Sequence, residues 1–298
     1  MKRRGVPQLM VDGLGFHVVR LGPGSGRGAP QGGAEASEAV GVTVAAPEPD
    51  GHRPPVVFLH GLVIDNISTF YYTLAPVAAR KHPVVCYDLR GHGASDRPAT
   101  GYRLEDGVDD LVGILDALGL TEPVHLVGYS FGGTLAMAVA AWRPERVAGL
   151  VLIETEPNSE DWSEEMVTNL EDVVAGFEDP EFRRFMAEEA PRGLRRLVAD
   201  CEELVTRSSL PADFRSSKET TLDDLARLTV PALLVYGDNS EILDVAFLLD
   251  DTIPDTELCI IKDCSHQVMV EAPDVVQRHL EAWLDRQAHR AGAPGAAP

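Results

Sequence analysis

Lysine is almost missing from this chain: there are 4, against 22 arginines, and the 26 basic residues face 47 acidic ones. The resulting net charge of −21 repels phosphate backbones and anionic headgroups, so neither nucleic acid nor a membrane surface is expected as a partner. Cysteine is scarce too. Cys86, Cys201, Cys259 and Cys264 include no C-x-x-C pair, which argues against a disulfide framework and for a reduced, cytoplasmic setting. No apolar run reaches membrane-spanning length. The basic start "MKRRG" is not followed by the apolar stretch of a secretory signal. No G-x-G-x-x-G follows a strand-like segment, the Gly-rich stretch "PGSGRGAPQGGAEASEA" lacks a G-K-[ST] ending, and no His/Cys/Asp group has ligand spacing. No cofactor and no metal are therefore expected.

What the chain does have is enough apolar material, 44% of 298 residues, for one large core. "QLMVDGLGFHVVRLG" reads as strand, turn, strand. A flexible insertion over about 22–40 follows, and "VGVTVAA" is a candidate strand. From Pro55 short apolar runs ("VVFLHG", "PVVCYDLRG", "VHLVGYS", "VAGLVLIE") alternate with helical segments ("STFYYTLAPVAAR", "LEDGVDDLVGILDALG", "FGGTLAMAVAAW"). Strands apolar throughout, alternating with helices, predict a mostly parallel sheet covered on both faces. The rhythm stops after Glu154. Residues 156–190 hold twelve acidic and two basic side chains, yet Met166, Leu170, Val173, Val174 and Phe177 share one helical face, as do Leu194, Leu197, Val198, Cys201, Leu204 and Val205. The rhythm resumes with "PALLVYGD", "ELCIIKD" and a last helix, "APDVVQRHLEAWLDRQ". The expected organisation is a core over 1–155, a helical cap over 156–221, a second core part over 222–288 and a disordered tail over 289–298.

The stretch "HLVGYSFGGTLAMAVA" carries the chemistry. Its "GYSFG" fits G-x-S-x-G between an apolar strand and a helix, the setting in which the motif forms a sharp turn. Glycines on both sides let strand and helix approach closely, and Ser130 then sits at a helix N-terminus, where backbone N–H groups favour a developing oxyanion. A serine hydroxyl is a poor nucleophile without a base to take its proton.

With "VVFLHG", "YDLRGHGASD", "GYSFGG", "PALLVYGD" and "KDCSHQVMVEAP", the chain resembles the α/β-hydrolase fold family, serine-nucleophile branch with a cap. The resemblance implies Ser130 as nucleophile, His266 as general base, and the backbone N–H groups of Leu62 and Phe131 as oxyanion hole. His60 and His92 belong to structural parts of those motifs, and Cys264 to packing. The acid departs from the pattern. Where the family often has Gly-x-x-Asp after the "PALLVYG" strand, Gly237 is followed by Asp238, Asn239 and Ser240. Glu154, ending "GLVLIE", and Asp238 are the alternative acids, with Glu154 preferred; a site with no acid is the third option. The resemblance implies a hydrolase of an ester, thioester or activated carbonyl in a hydrophobic small molecule. Trp162, Met166, Leu170 and Phe177 from the cap, and Phe70, Tyr71 and Tyr72, are candidate pocket walls. The missing Gly-x-x-Asp also admits a tailoring enzyme that cyclises or forms C–C bonds in polyketide biosynthesis, or a non-catalytic ligand-binding protein. The arginine excess suggests a GC-rich bacterial genome and natural-product metabolism.

Overall fold

The computed structural model describes residues 6–23 and 53–292. Most of the Gly-rich insertion, the candidate strand "VGVTVAA" and residues 293–298 lie outside the described residues.

The chain opens with β1 (Leu9–Val11) and β2 (Leu14–Phe16), a small antiparallel hairpin. Its two loop residues, Asp12 and Gly13, both take positive φ (47° and 84°), as a two-residue turn of this kind demands. A third short strand, β3 (Val18–Leu21), follows at once, where the sequence suggested a single second strand. Then come β4 (Val56–Leu59), α1 (Ser68–Tyr71), α2 (Ala75–Ala78), β5 (Val84–Tyr87), α3 (Leu104–Ala117), β6 (Val124–Tyr129), α4 (Phe131–Trp142) and β7 (Val147–Ile153). The expected single helix over "STFYYTLAPVAAR" is two short ones, because Pro76 belongs in a first turn and starts the second.

β3 to β9 form one seven-stranded sheet in the order β3-β5-β4-β6-β7-β8-β9, where β8 is Ala232–Gly237 and β9 is Thr256–Ile261. Only β3 runs antiparallel to its neighbour; every other pair is parallel. The central strands are buried at every position, which is why their sequences are apolar throughout instead of alternating. One core lies under α3 and α4, with Leu111, Ile114, Met137 and Leu150 fully enclosed. The other lies on the opposite face, around Phe58, Phe70, Val235 and Trp283.

Between β7 and β8 the chain leaves the sheet as α5 (Glu160–Gly176), α6 (Pro180–Glu188), α7 (Arg192–Arg207) and α8 (Leu210–Arg215), then returns through α9 (Leu222–Leu225). The Ser159 hydroxyl caps α5 by accepting from Trp162 N (3.1 Å). A third apolar cluster joins this layer to the sheet edge: Trp162, Leu170, Leu204 and Phe214 pack with Val63 and Tyr102. After β8 come α10 (Leu243–Thr252), β9, α11 (Val268–Glu271) and α12 (Pro273–Gly292). The tail was expected to be disordered from 289, but α12 continues through Gly292. In the last turn His289 Nδ1 lies 2.6 Å from the Asp285 carbonyl of the same helix, and Arg290 reaches Asp255, just before β9, at 2.9 Å.

Candidate active site

The carboxyl ends of β4, β6, β7 and β8 lie side by side, and each turns sharply into the next segment. At the end of β6, Ser130 takes φ 52° and ψ −126°, a conformation costly for any residue with a Cβ. Close packing imposes it. A Cβ on Gly132 would overlap the Leu59 carbonyl, and one on Gly128 would overlap the backbone of Gly132 and Gly133. The turn is tied down from its neighbour: Ser130 N donates to Ile153 O (3.0 Å), and Thr155 Oγ1 donates to Ser130 O (2.7 Å). Ser130 thus caps α4, at the positive end of its dipole.

At the end of β7, Glu154 also takes positive φ (49°) and is 0% exposed. Its N–H donates to Val235 O (3.0 Å), fixing it against β8. Three groups meet its carboxylate. Gly237 N donates to Oε1 (2.6 Å), Ser240 Oγ donates to Oε2 (2.6 Å), and His266 Nδ1 lies 3.2 Å from that same Oε2. Among the described residues no lysine or arginine pairs with Glu154. Asp238 goes elsewhere. It is solvent-exposed and accepts from Cys264 N (3.3 Å), at the base of the histidine loop. The structure therefore brings Glu154 and His266 together and leaves Asp238 apart.

His266 sits on the loop after β9. Tyr129 OH donates to its carbonyl (3.1 Å), and Glu271 accepts from Ser265 N (2.7 Å) and Ser265 Oγ (2.9 Å) to hold the loop. Burial works against the charged imidazolium. The hydrogen bond to Glu154 and its charge, with smaller contributions from Glu241 and Glu156, outweigh burial and raise the His266 pKa above the ordinary 6.5. No hydrogen bond joins Ser130 Oγ to His266 in this structure. Such contacts are often long in the free enzyme and tighten on binding.

The turn after β4 faces Ser130. A Cβ on Gly61 would stand 3.5 Å from the Ser130 Cβ. Val63 is held at φ 66°, an outlier for a β-branched residue, and its N–H donates to His92 Nε2 (2.7 Å). Burial, aided by His60, lowers the His92 pKa to about 3, in keeping with a neutral ring whose Nε2 accepts from Val63. His60 Nε2 accepts from Leu89 N (3.0 Å). Asp88, lying below, accepts from Ile67 N (2.8 Å), Ala94 N (2.8 Å) and His17 Nδ1 (2.7 Å). Burial alone would raise its pKa, but the hydrogen bond from His17, the charge of His60 and those backbone amides bring it to about 2. These side chains make the turn rigid. Gly61 N is already used by Asp65 Oδ2 (3.1 Å). The N–H groups of Leu62 and Phe131, by contrast, have no acceptor among the described residues, so both are free to meet an oxyanion.

Phe131, Trp162 and Phe214 stack at centroid separations of 5.3–6.4 Å, so Trp162 does cover this region, with Met166, Leu170 and Phe177 in the same cluster. Phe70 does not. It is buried against Phe58 in the opposite core (4.9 Å), and Tyr72 is 77% exposed; neither is a pocket wall. Cys264 is buried in that opposite core as well. A cavity of about 30 Å³ lies behind the turn that follows β4, against Leu62, Tyr102, Phe131 and Phe214. It has room for about two waters, and neither Ser130 nor His266 lines it. Sequence reasoning missed Ser240 as a partner of the acid; its only signal was that it stands where an aspartate was expected.

Residues 54–200 match the family model described as alpha/beta hydrolase fold. The chain is 32% identical to a 2-hydroxymuconate semialdehyde hydrolase of Pseudomonas sp. (strain CF600), over 73% of this chain and 82% of that protein. It is 26% identical to 3-oxoadipate enol-lactonase 2 of Acinetobacter baylyi, over 78% and 90%. Among solved structures, a thermophilic esterase from Thermogutta terrifontis superposes with a TM-score of 0.67 at 23% identity, covering 95% of this chain and 98% of that one.

Proposed function

The chain belongs to the α/β-hydrolase fold family, and on that premise we propose that it is a serine-dependent hydrolase of an ester, thioester or activated carbonyl in a hydrophobic small molecule. The observation that carries this reading is the buried Glu154 carboxylate 3.2 Å from His266 Nδ1, beside a serine held on a strained turn. Glu154 fixes the tautomer with the proton on Nδ1, which leaves Nε2 as the base. His266 takes the Ser130 proton as Oγ attacks the carbonyl carbon, and Glu154 stabilises the imidazolium that forms. The N–H groups of Leu62 and Phe131 receive the oxyanion. His266 then returns the proton to the departing alkoxide or thiolate. Water, activated by the same imidazole, hydrolyses the acyl-enzyme.

An apolar substrate is favoured by the ring stack of Phe131, Trp162 and Phe214. Relatives named as a lactonase and a semialdehyde hydrolase favour hydrolysis over cyclisation. A place in bacterial natural-product metabolism rests on the arginine-rich composition. A fluorophosphonate probe tests the chemistry, read by intact mass. One adduct on the native protein, lost in Ser130→Ala, is expected. A folded native protein that takes no adduct would overturn the reading.

A further inference from the structure

Among the described residues the buried carboxylate of Glu154 has no cationic partner except the histidine it faces. Two neutral donors therefore stand in for solvent, and they are not equivalent. Gly237 N meets Oε1, whereas the Ser240 hydroxyl meets Oε2, the oxygen that faces His266. Ser240 is itself nearly buried, 9% exposed. Its Oγ accepts from Ile242 N (3.3 Å), which leaves the hydroxyl proton to point at Glu154. Ile242 N–H thus donates to Ser240 and Ser240 O–H to Glu154, while His266 Nδ1–H donates to the same oxygen from the other side, so both runs of donors converge on the Glu154 carboxylate.

We infer that Ser240 is a positioning residue for catalysis, setting both the orientation and the basicity of the Glu154 oxygen that holds His266. The inference rests on the Ser130–His266–Glu154 reading above and assigns a role to the position where the family's aspartate is missing. Ser240 and the histidine share one oxygen. Removing the hydroxyl leaves that oxygen with a single donor, and the carboxylate then binds the imidazole proton more tightly. The charged groups acting on His266 besides Glu154 are Glu241, after β8, and Glu156, beyond β7; Tyr129, Tyr236 and Cys264 feel the Glu154 charge, with Asp65 and Glu271 near Tyr129 and Asp238, Asp263 and Glu271 near Cys264. All are acids, phenols or a thiol, so among the described residues no cation replaces the lost donor.

The test compares Ser240→Ala and Ser240→Thr with the native protein, using kcat and KM on an activated ester, the pH profile of kcat/KM, and the titration of the His266 imidazole by NMR. Ser240→Ala should lower kcat by roughly 10- to 100-fold while KM moves by less than about twofold, the range expected for one hydrogen bond to a charged group. Its acid limb and its His266 titration should both move to higher pH. Ser240→Thr, which keeps the hydroxyl, should restore both. A His266 titration that stays at the native position in Ser240→Ala overturns the inference, and this readout needs no turnover. A native protein that neither hydrolyses the ester nor takes the fluorophosphonate, but whose His266 titration moves in Ser240→Ala, overturns the serine reading and leaves the Ser240–Glu154–His266 coupling standing.

Discussion

Strands β7 and β8 are parallel neighbours, and each ends next to a carboxylate: Glu154 directly after β7 and Asp238 directly after β8. One is sealed from solvent, receives two donors and faces the histidine. The other is exposed and braces a loop. The difference comes from backbone geometry. Glu154 leaves β7 with positive φ while its N–H is still bound to β8, so its side chain turns under the histidine loop. Asp238 N instead continues the ladder to Ile261 O (3.0 Å). Two acids at corresponding strand ends thus acquire different tasks from their hydrogen bonds and burial.

The largest break in this comparison is Glu154→Gln. The shape is kept but the charge is lost, and kcat/KM on an activated ester should fall by about 10³- to 10⁴-fold, as when a triad acid is neutralised. Next is Gly237→Ala, at the end of β8. Its new Cβ would overlap the Cys264 carbonyl and push the histidine loop outward. A loss of about 2–4 kcal/mol in urea unfolding is expected, together with weaker turnover.

A third effect lies in pH. The His266 pKa is raised above 6.5, and the base must be neutral to act. Activity should therefore fall on acidification with a kcat/KM limb above pH 6.5, and Glu154→Gln should move that limb down. The linkage has the opposite face. A raised histidine pKa stabilises the fold fully below its unfolded value, and the contribution is lost as pH rises through the folded value. The stability gap between native protein and Glu154→Gln should accordingly be wider at pH 5.5 than at pH 8.5, measured by urea unfolding. The smallest effect is Asp238→Asn. The amide oxygen can still accept from Cys264 N, and kcat/KM should change by less than about threefold, in line with an exposed surface contact.

Much of this was legible in the residues. The apolar runs marked β4 to β8 because central parallel strands are buried on both faces, whereas β9 is a half-exposed edge strand, and "GYSFG" marked the serine turn because its glycines are sterically required. The cap was legible in part. The faces of α5 and α7 bury Leu170, Cys201 and Leu204, which gave them an apolar period. Helix α6 buries no residue fully; its signals were Asp179 as N-cap before Pro180 and the short apolar face of Phe182, Phe185 and Met186, of which Phe182 stacks on Phe177 at 5.4 Å. The choice between Glu154 and Asp238 was open in the sequence because both follow strands of the same type. What separates them is a positive φ and the placement of Ser240, and neither is written in residue order.

The most direct test of the account is the Nδ1 proton of His266, observed as a downfield NMR resonance in the native protein, Glu154→Gln and Asp238→Asn. The account predicts a resonance that persists in Asp238→Asn and disappears, or moves strongly upfield, in Glu154→Gln. A resonance indifferent to Glu154 and lost with Asp238 would contradict it.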